Sequence, residues 1–134
     1  MSTANTEIHK AFRNRLLTLT GYRIATENVS FKPETDEVYL REMFVPGEPD
    51  ALTIDFDEDV TDYKGFYQVS VYAPSGGGKT PTYDACEAIE DLFKRGLRFE
   101  EIELNEKPVR ARGYKDDKSG RFVTPITIYY RSFR

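Results

Sequence analysis

A chain of 134 residues that is 39% hydrophobic, with nine Tyr and nine Phe, has the size of one domain with a modest core. Its net charge of −4, from 23 acidic and 19 basic residues, argues against a nucleic-acid-binding surface, which needs a basic stripe. One cysteine, Cys86, rules out an internal disulfide and leaves too few soft ligands for a metal cluster of the usual kind.

Residues 1–134 are read as one domain, with residues 1–5 expected to fray. Thr6–Leu19 has the spacing of an amphipathic helix: Ile8, Ala11, Phe12, Leu16 and Leu19 share a face, with Arg15 out of character among them. Gly21 is the expected stop. Tyr22–Asn28 reads as a short strand. Val38–Val45 reads as a stronger one, with Tyr39, Arg41 and Met43 on one side and Leu40, Glu42 and Phe44 on the other. Charge on both sides suggests a sheet edge or a contact with another subunit. Pro46-Gly47-Glu48-Pro49 breaks the strand. Asp50–Asp62, DALTIDFDEDVTD, carries six acidic side chains. It is expected to be a strand or an ordered arm outside the core, because that many carboxylates cannot be buried unpaired.

Tyr63–Ala73 is the clearest strand, with Tyr67, Val69, Val71 and Ala73 alternating with Phe66, Gln68, Ser70 and Tyr72. Pro81–Arg95 reads as a second amphipathic helix, with Thr80 or Thr82 as its N-cap and Gly96 as its stop. Ile102–Leu104, Val109–Tyr114 and Phe122–Phe133 are strands. Pro125 requires its missing N–H to face an edge or a bulge. The order is α-β-β-β-α-β-β-β. The expected fold class is α+β, a mixed or mostly antiparallel sheet with two helices on one face.

Three local patterns invite chemistry. Ala73-x-x-x-x-Gly78-Lys79-Thr80 fits a loose phosphate-binding loop. That loop needs its Lys inside the following helix, and Pro81 places the helix start after Lys79. The chain also lacks a second magnesium carboxylate and the strand–helix repeats of a nucleotide-binding sheet. Asp55, Asp57 and Asp59 alternate like calcium ligands, but Val60 and Phe66 stand where that loop needs Gly and Glu. Cys86 falls on the apolar stripe of the second helix, away from the single histidine, His9, and reads as a small buried hydrophobe rather than a nucleophile. MSTANTEIHK has no leader-like apolar segment, and no apolar run approaches membrane-spanning length. The expectation is a soluble chain made in a reducing cytoplasm.

Several segments in this order carry a resemblance: an opening helix ending RNRLLTL, then IATENVSFKPETDEVYLREMFVP, then GFYQVSVYAPSGGGKT, then a helix with Ala85 and Ile89-x-x-x-Phe93, and a last strand ending in aromatics. Over about residues 6–133 the chain resembles the tail-terminator proteins of long-tailed bacteriophages, in their small phage-related branch, though GGGKT is richer in glycine than that family suggests. The resemblance implies a structural virion protein, not an enzyme, that caps the tail tube as a ring of six, ends tube polymerisation and offers a surface for head-to-tail joining. It implies as partners other copies of itself, the tube protein and a neck or connector protein. DNA would only pass through, with no cofactor and no membrane. The candidate contact or lumen residues are Asp55, Asp57, Glu58, Asp59, Asp62, Arg41 and Lys79. The alternatives are another neck or connector-completion protein, a small nucleotide-binding protein using Lys79 and Thr80, or an acidic regulator or DNA mimic that binds a basic partner through Asp55–Asp62.

Overall fold

Alternation along three long strands organises the molecule. In this computed structural model, which describes residues 4–26, 30–34, 36–47, 50–55, 58–76 and 78–134, they are β2 (Tyr39–Pro46), β4 (Glu58–Ala73) and β9 (Phe122–Phe133). β4 runs antiparallel to β2 on one side and to β9 on the other. The remaining strands are short: β1 (Arg23–Ala25), β3 (Asp50–Asp55), β5 (Arg98–Phe99), β6 (Ile102–Glu103), β7 (Val109–Arg110) and β8 (Tyr114–Lys115). β1 pairs parallel to β2, and every other pairing is antiparallel. The sheet order is β1-β2-β4-β9-β6-β5, with β3 beside β4 and with β7 and β8 beside β9. The fold is α+β, as expected.

Helix α1 (Ala4–Leu16) and helix α2 (Thr80–Leu92) cover one face of the sheet. Ile8, Ala11, Phe12 and Leu16 of α1, and Ala85, Cys86 and Ile89 of α2, form one core with Leu40, Tyr67, Val69, Val71, Ile126 and Ile128. Phe12 sits at its centre. Its ring stacks on Tyr67 at 4.7 Å and meets Phe99 and Tyr130 edge-on at 5.3 and 5.5 Å, arrangements that add to plain burial. Arg15, the odd residue of the α1 stripe, donates from Nε to the Leu92 carbonyl at 2.9 Å and lies over the Phe99 ring. It caps the C-terminal end of α2, where a cation is favoured.

Several boundaries differ from expectation. α1 includes Ala4 and Asn5, which were expected to fray, and ends at Leu16 rather than Leu19; residues 1–3 lie outside the described residues. α2 starts at Thr80 with Lys79 at the cap, and Thr82 is buried within the helix. It stops at Leu92, because Phe93 leaves helical geometry while its N–H still reaches the Ile89 carbonyl. Lys94 and Arg95 therefore lie past the helix. Val109–Tyr114 is not one strand but two, β7 and β8. Pro125 shows why the interruption is harmless. Its carbonyl accepts from the Ala111 N–H at 2.9 Å, so its amide side also faces away from β4, into the interval between β7 and β8.

Gly65 marks a close crossing. A Cβ there would lie 2.8 Å from the Gly47 nitrogen and 2.9 Å from the Tyr130 hydroxyl, so the end of β2 can pass only a glycine.

Candidate interaction surface

The face of the sheet away from the helices is open over much of its length. Register places Arg41, Met43 and Val45 of β2 beside Ser70, Gln68 and Phe66 of β4, and the last two beside Thr127 and Tyr129 of β9. Met43 is 41% exposed and Tyr129 43%. One end of this face is closed by the protein itself. Arg121, 7% exposed, donates to the carbonyls of Glu34 and Glu37. It also lies over Tyr39, which stacks on Tyr72 and meets Phe31 at a tilt. Next to this lid is a depression of about 580 Å³ lined by Arg41, Gln68, Ser70, Tyr72 and Tyr114. Arg41 is half-buried there, over the Tyr72 ring at 5.6 Å.

The other end is polar and more tightly built. Asp62, 1% exposed, receives Arg131 Nε at 3.0 Å and Nη2 at 2.7 Å, with Lys64 Nζ at 3.5 Å. The hydrogen bonds from Arg131 are the main reason its carboxyl lies below the ordinary value, with burial opposing them. A concavity of about 600 Å³ beside it is lined by Lys64, Phe66, Asn105, Glu106, Tyr129, Tyr130 and Arg131. The Tyr130 hydroxyl is buried there with no hydrogen-bond partner among the described residues, and burial pushes its pKa up to about 12.

The candidate residues do not converge. From Asp62 to Ala73 along β4 is roughly 35 Å at about 3.3 Å per residue. Asp62 stands near one end, Arg41 pairs opposite Ser70 in the other half, and Lys79 follows the far end in an exposed loop. Asp55, Glu58 and Asp59 belong to the β3–β4 hairpin, where Asp55 pairs with Glu58 and Thr53 with Asp59. Asp57 lies outside the described residues. Asp62 was expected outside the core with its acidic neighbours; it is instead a buried, doubly paired residue of the sheet. Glu42 is a second correction. Its charge suggested an edge or a subunit contact, yet it is 1% exposed beneath α1. Arg13 Nε donates to it at 3.0 Å, the Tyr67 hydroxyl at 2.7 Å, and His9 Nε2 lies 3.1 Å away. Burial alone would raise its pKa, but the hydrogen bonds from Arg13 and Tyr67 and the charges of His9 and Arg13 outweigh that and hold it below the ordinary value. The signal was in the alternation: Glu42 shares a side with Leu40 and Phe44.

The loop that resembled a phosphate cradle has the wrong surroundings. Its strand, β4, has antiparallel neighbours on both sides. Lys79 precedes the helix, and Gly76 and Gly78 adopt positive φ, as a turn requires. Cys86 is fully buried, and burial pushes its thiol up. Among the described residues no three metal-ligating side chains gather, and no helix is long and apolar enough to cross a membrane.

Fold and surface together define a small α+β domain with one face of its sheet covered by helices and the other open over much of its length. The family model for phage tail terminator proteins matches residues 7–130, and the chain belongs to that family. It is a bacteriophage structural protein of the tail. It is also similar to a solved structure, with 22% identity, a TM-score of 0.74, and 98% of this chain and 96% of that chain covered; at that identity the likeness speaks for the fold. Comparison with the curated proteins gives no match.

Proposed function

We propose that this protein closes into a homo-oligomeric ring, of six copies, on the end of the tail tube, stops tube growth there and presents the face to which the head connector joins. The observation that carries the reading, beyond family membership, is a sheet helix-covered on one side and open over much of the other, with Met43 and Tyr129 exposed in mid-sheet and Tyr114 and Phe133 exposed near its ends. Exposed aromatics and methionine are what protein contacts use. Its partners are other copies of itself, the tube protein and a neck protein. It carries no catalysis and needs no cofactor. It is made in the host cytoplasm and ends in the virion. A net charge of −4 suits a ring that DNA passes without adhering, since like charge repels phosphate.

Phage lacking this protein should carry tubes of uncontrolled length and no attached heads, and purified protein should restore joining. Normal-length tails in its absence would refute the terminator role. Titration with magnesium-ATP should show no binding tighter than about 1 mM; micromolar binding lost in Lys79→Ala would overturn the non-enzymatic reading.

A further inference from the structure

One cation of the open face has no counter-charge. Arg41 is half-buried in the depression of about 580 Å³ that it lines with Gln68, Ser70, Tyr72 and Tyr114. Its guanidinium lies over the Tyr72 ring, and among the described residues it has no ion-pair partner. Neither nearby carboxylate serves it. Glu42 lies on the other face and is held by Arg13 and Tyr67. Asp116, whose charge reaches Tyr72, accepts from the Ser119 hydroxyl and N–H. The hydroxyls of Ser70, Tyr72 and Tyr114 and the Gln68 amide add neutral donors to the same hollow. A guanidinium partly withdrawn from water among such donors favours a carboxylate, because the charge-assisted bond is stronger there than in open solvent. Met43 and Tyr114, both exposed, stand at its rim, which suits a protein occupant.

The same chain carries the complement, on its other side. Asp84, Glu87 and Asp91 of α2 recur at i, i+3 and i+7 and form one stripe. All three are exposed, and among the described residues none has an ion-pair partner. Glu90 is the acid of this helix already committed, to Arg110 at 2.8 and 2.7 Å. Tyr83, four residues before Glu87, adds an exposed ring beside the stripe. Because Ala85, Cys86 and Ile89 face the core, the stripe lies on the outside of the helix layer, while Arg41 lies on the open face of the sheet. Socket and plug therefore stand on opposite surfaces of one protomer. A contact between them is head-to-tail, the kind that passes from copy to copy and can close into a ring. It also gives the open sheet face the covering layer it lacks.

We propose that the Arg41 depression receives the acidic outer stripe of α2, Asp84–Glu87–Asp91, from a second copy of this chain. The proposal rests on the ring reading above and names the contact that would make it. Glu87, at the middle of the stripe, pairs with Arg41, with Tyr83 set against the Met43 and Tyr114 rim.

The test uses the purified full-length chain, with mass read by sedimentation equilibrium and folding checked by melting curves. Wild type should associate at about 0.01 M salt and weaken towards 0.15 M, as the Debye length falls from about 30 Å to about 8 Å. Arg41→Glu, and separately the triple variant Asp84→Lys, Glu87→Lys, Asp91→Lys, should each weaken association by about tenfold or more, because like charges now meet. Mixed one to one, the two should recover it, since every contact in an alternating assembly is again between opposite charges. Should either reversal unfold, Arg41→Gln and Glu87→Gln read the same contact with a smaller loss. A wild type that stays monomeric at low salt overturns the proposal. So does a folded variant that associates like wild type, or a mixture that fails to recover. An Arg41→Glu chain that associates normally but no longer joins heads to tails would give the depression to the tube or neck protein and overturn the second-copy occupant. All of these outcomes leave the terminator reading standing or falling on the tail-length experiment, which the deletion answers by itself.

Discussion

The two faces of the sheet solve the same problem differently. Both contain apolar side chains, and both contain one carboxylate hidden from solvent. On the covered face, helix α1 lies over Glu42 and supplies Arg13 and His9, while Tyr67 reaches it from within the sheet. On the open face Asp62 is held within the sheet: its partners Lys64 and Arg131 come from the same and the neighbouring strand. One carboxylate is held by tertiary packing and the other by strand register. The covered face is thereby used up by the protomer's own fold. The open face keeps Met43 and Tyr129 exposed, and a contact surface can exist only where the chain has not already spent its side chains on itself.

Breaking the covered face should give the largest effect. Phe12→Ala removes the ring that meets Tyr67, Phe93, Phe99 and Tyr130 and should cost about 3–5 kcal/mol, the range for an aromatic truncated in a packed core. Urea unfolding measures it; a cost below about 1 kcal/mol would mean that the helices do not clamp this face.

Arg13→Ala should cost about 2–4 kcal/mol at neutral pH, because it strands a buried carboxylate without its main counter-charge. The pH dependence sharpens the point. Glu42 and Asp62 both have folded pKa values below their ordinary 4.5 and 3.8. The stability they contribute is therefore complete above those ordinary values and is lost as pH falls through the lower folded ones. Wild type should lose stability across that acidic window, and the gap between wild type and Arg13→Ala should narrow as Glu42 takes up a proton. A gap that is the same at pH 7 and at the acid end would contradict this account of Glu42.

On the open face, Asp62→Asn should cost about 1–3 kcal/mol, since the charge-assisted bonds from Arg131 are weakened in a buried setting. The neutralised hairpin Asp57→Asn, Glu58→Gln, Asp59→Asn should instead stay within about 0.5 kcal/mol of wild type. Equal costs would mean that the acidic segment acts as one unit, against the division drawn at Asp62. Smallest of all, Met43→Ser should leave the isolated chain within about 0.5 kcal/mol while impairing assembly on tails. A large loss of stability would place Met43 in the core after all.

Much of the architecture was legible from local pattern alone. β9 was read at its observed bounds, Phe122–Phe133, and β2 within one residue at each end, because period-2 alternation survives in any sheet that buries one face. Both helices were found from their apolar stripes, and their ends were not: they stop at Leu16 and Leu92, short of Gly21 and Gly96, although Leu19 and Phe93 still pack on the core beyond them. The order of apolar segments also carried the family resemblance. What the sequence left open was partnership between distant residues. Glu42 and Asp62 look alike in a string of letters. Only the tertiary structure brings Arg13 across 29 positions to one and Arg131 across 69 to the other, turning charges that read as surface into buried pairs. The same holds for Lys107, distant in sequence from the adjacent pair Lys94 and Arg95 and brought to one groove with them by the turn back from α2. Local periodicity is a property of a few consecutive residues and can be read from them. Burial and pairing of charge depend on which segments meet, and that is decided when the chain folds.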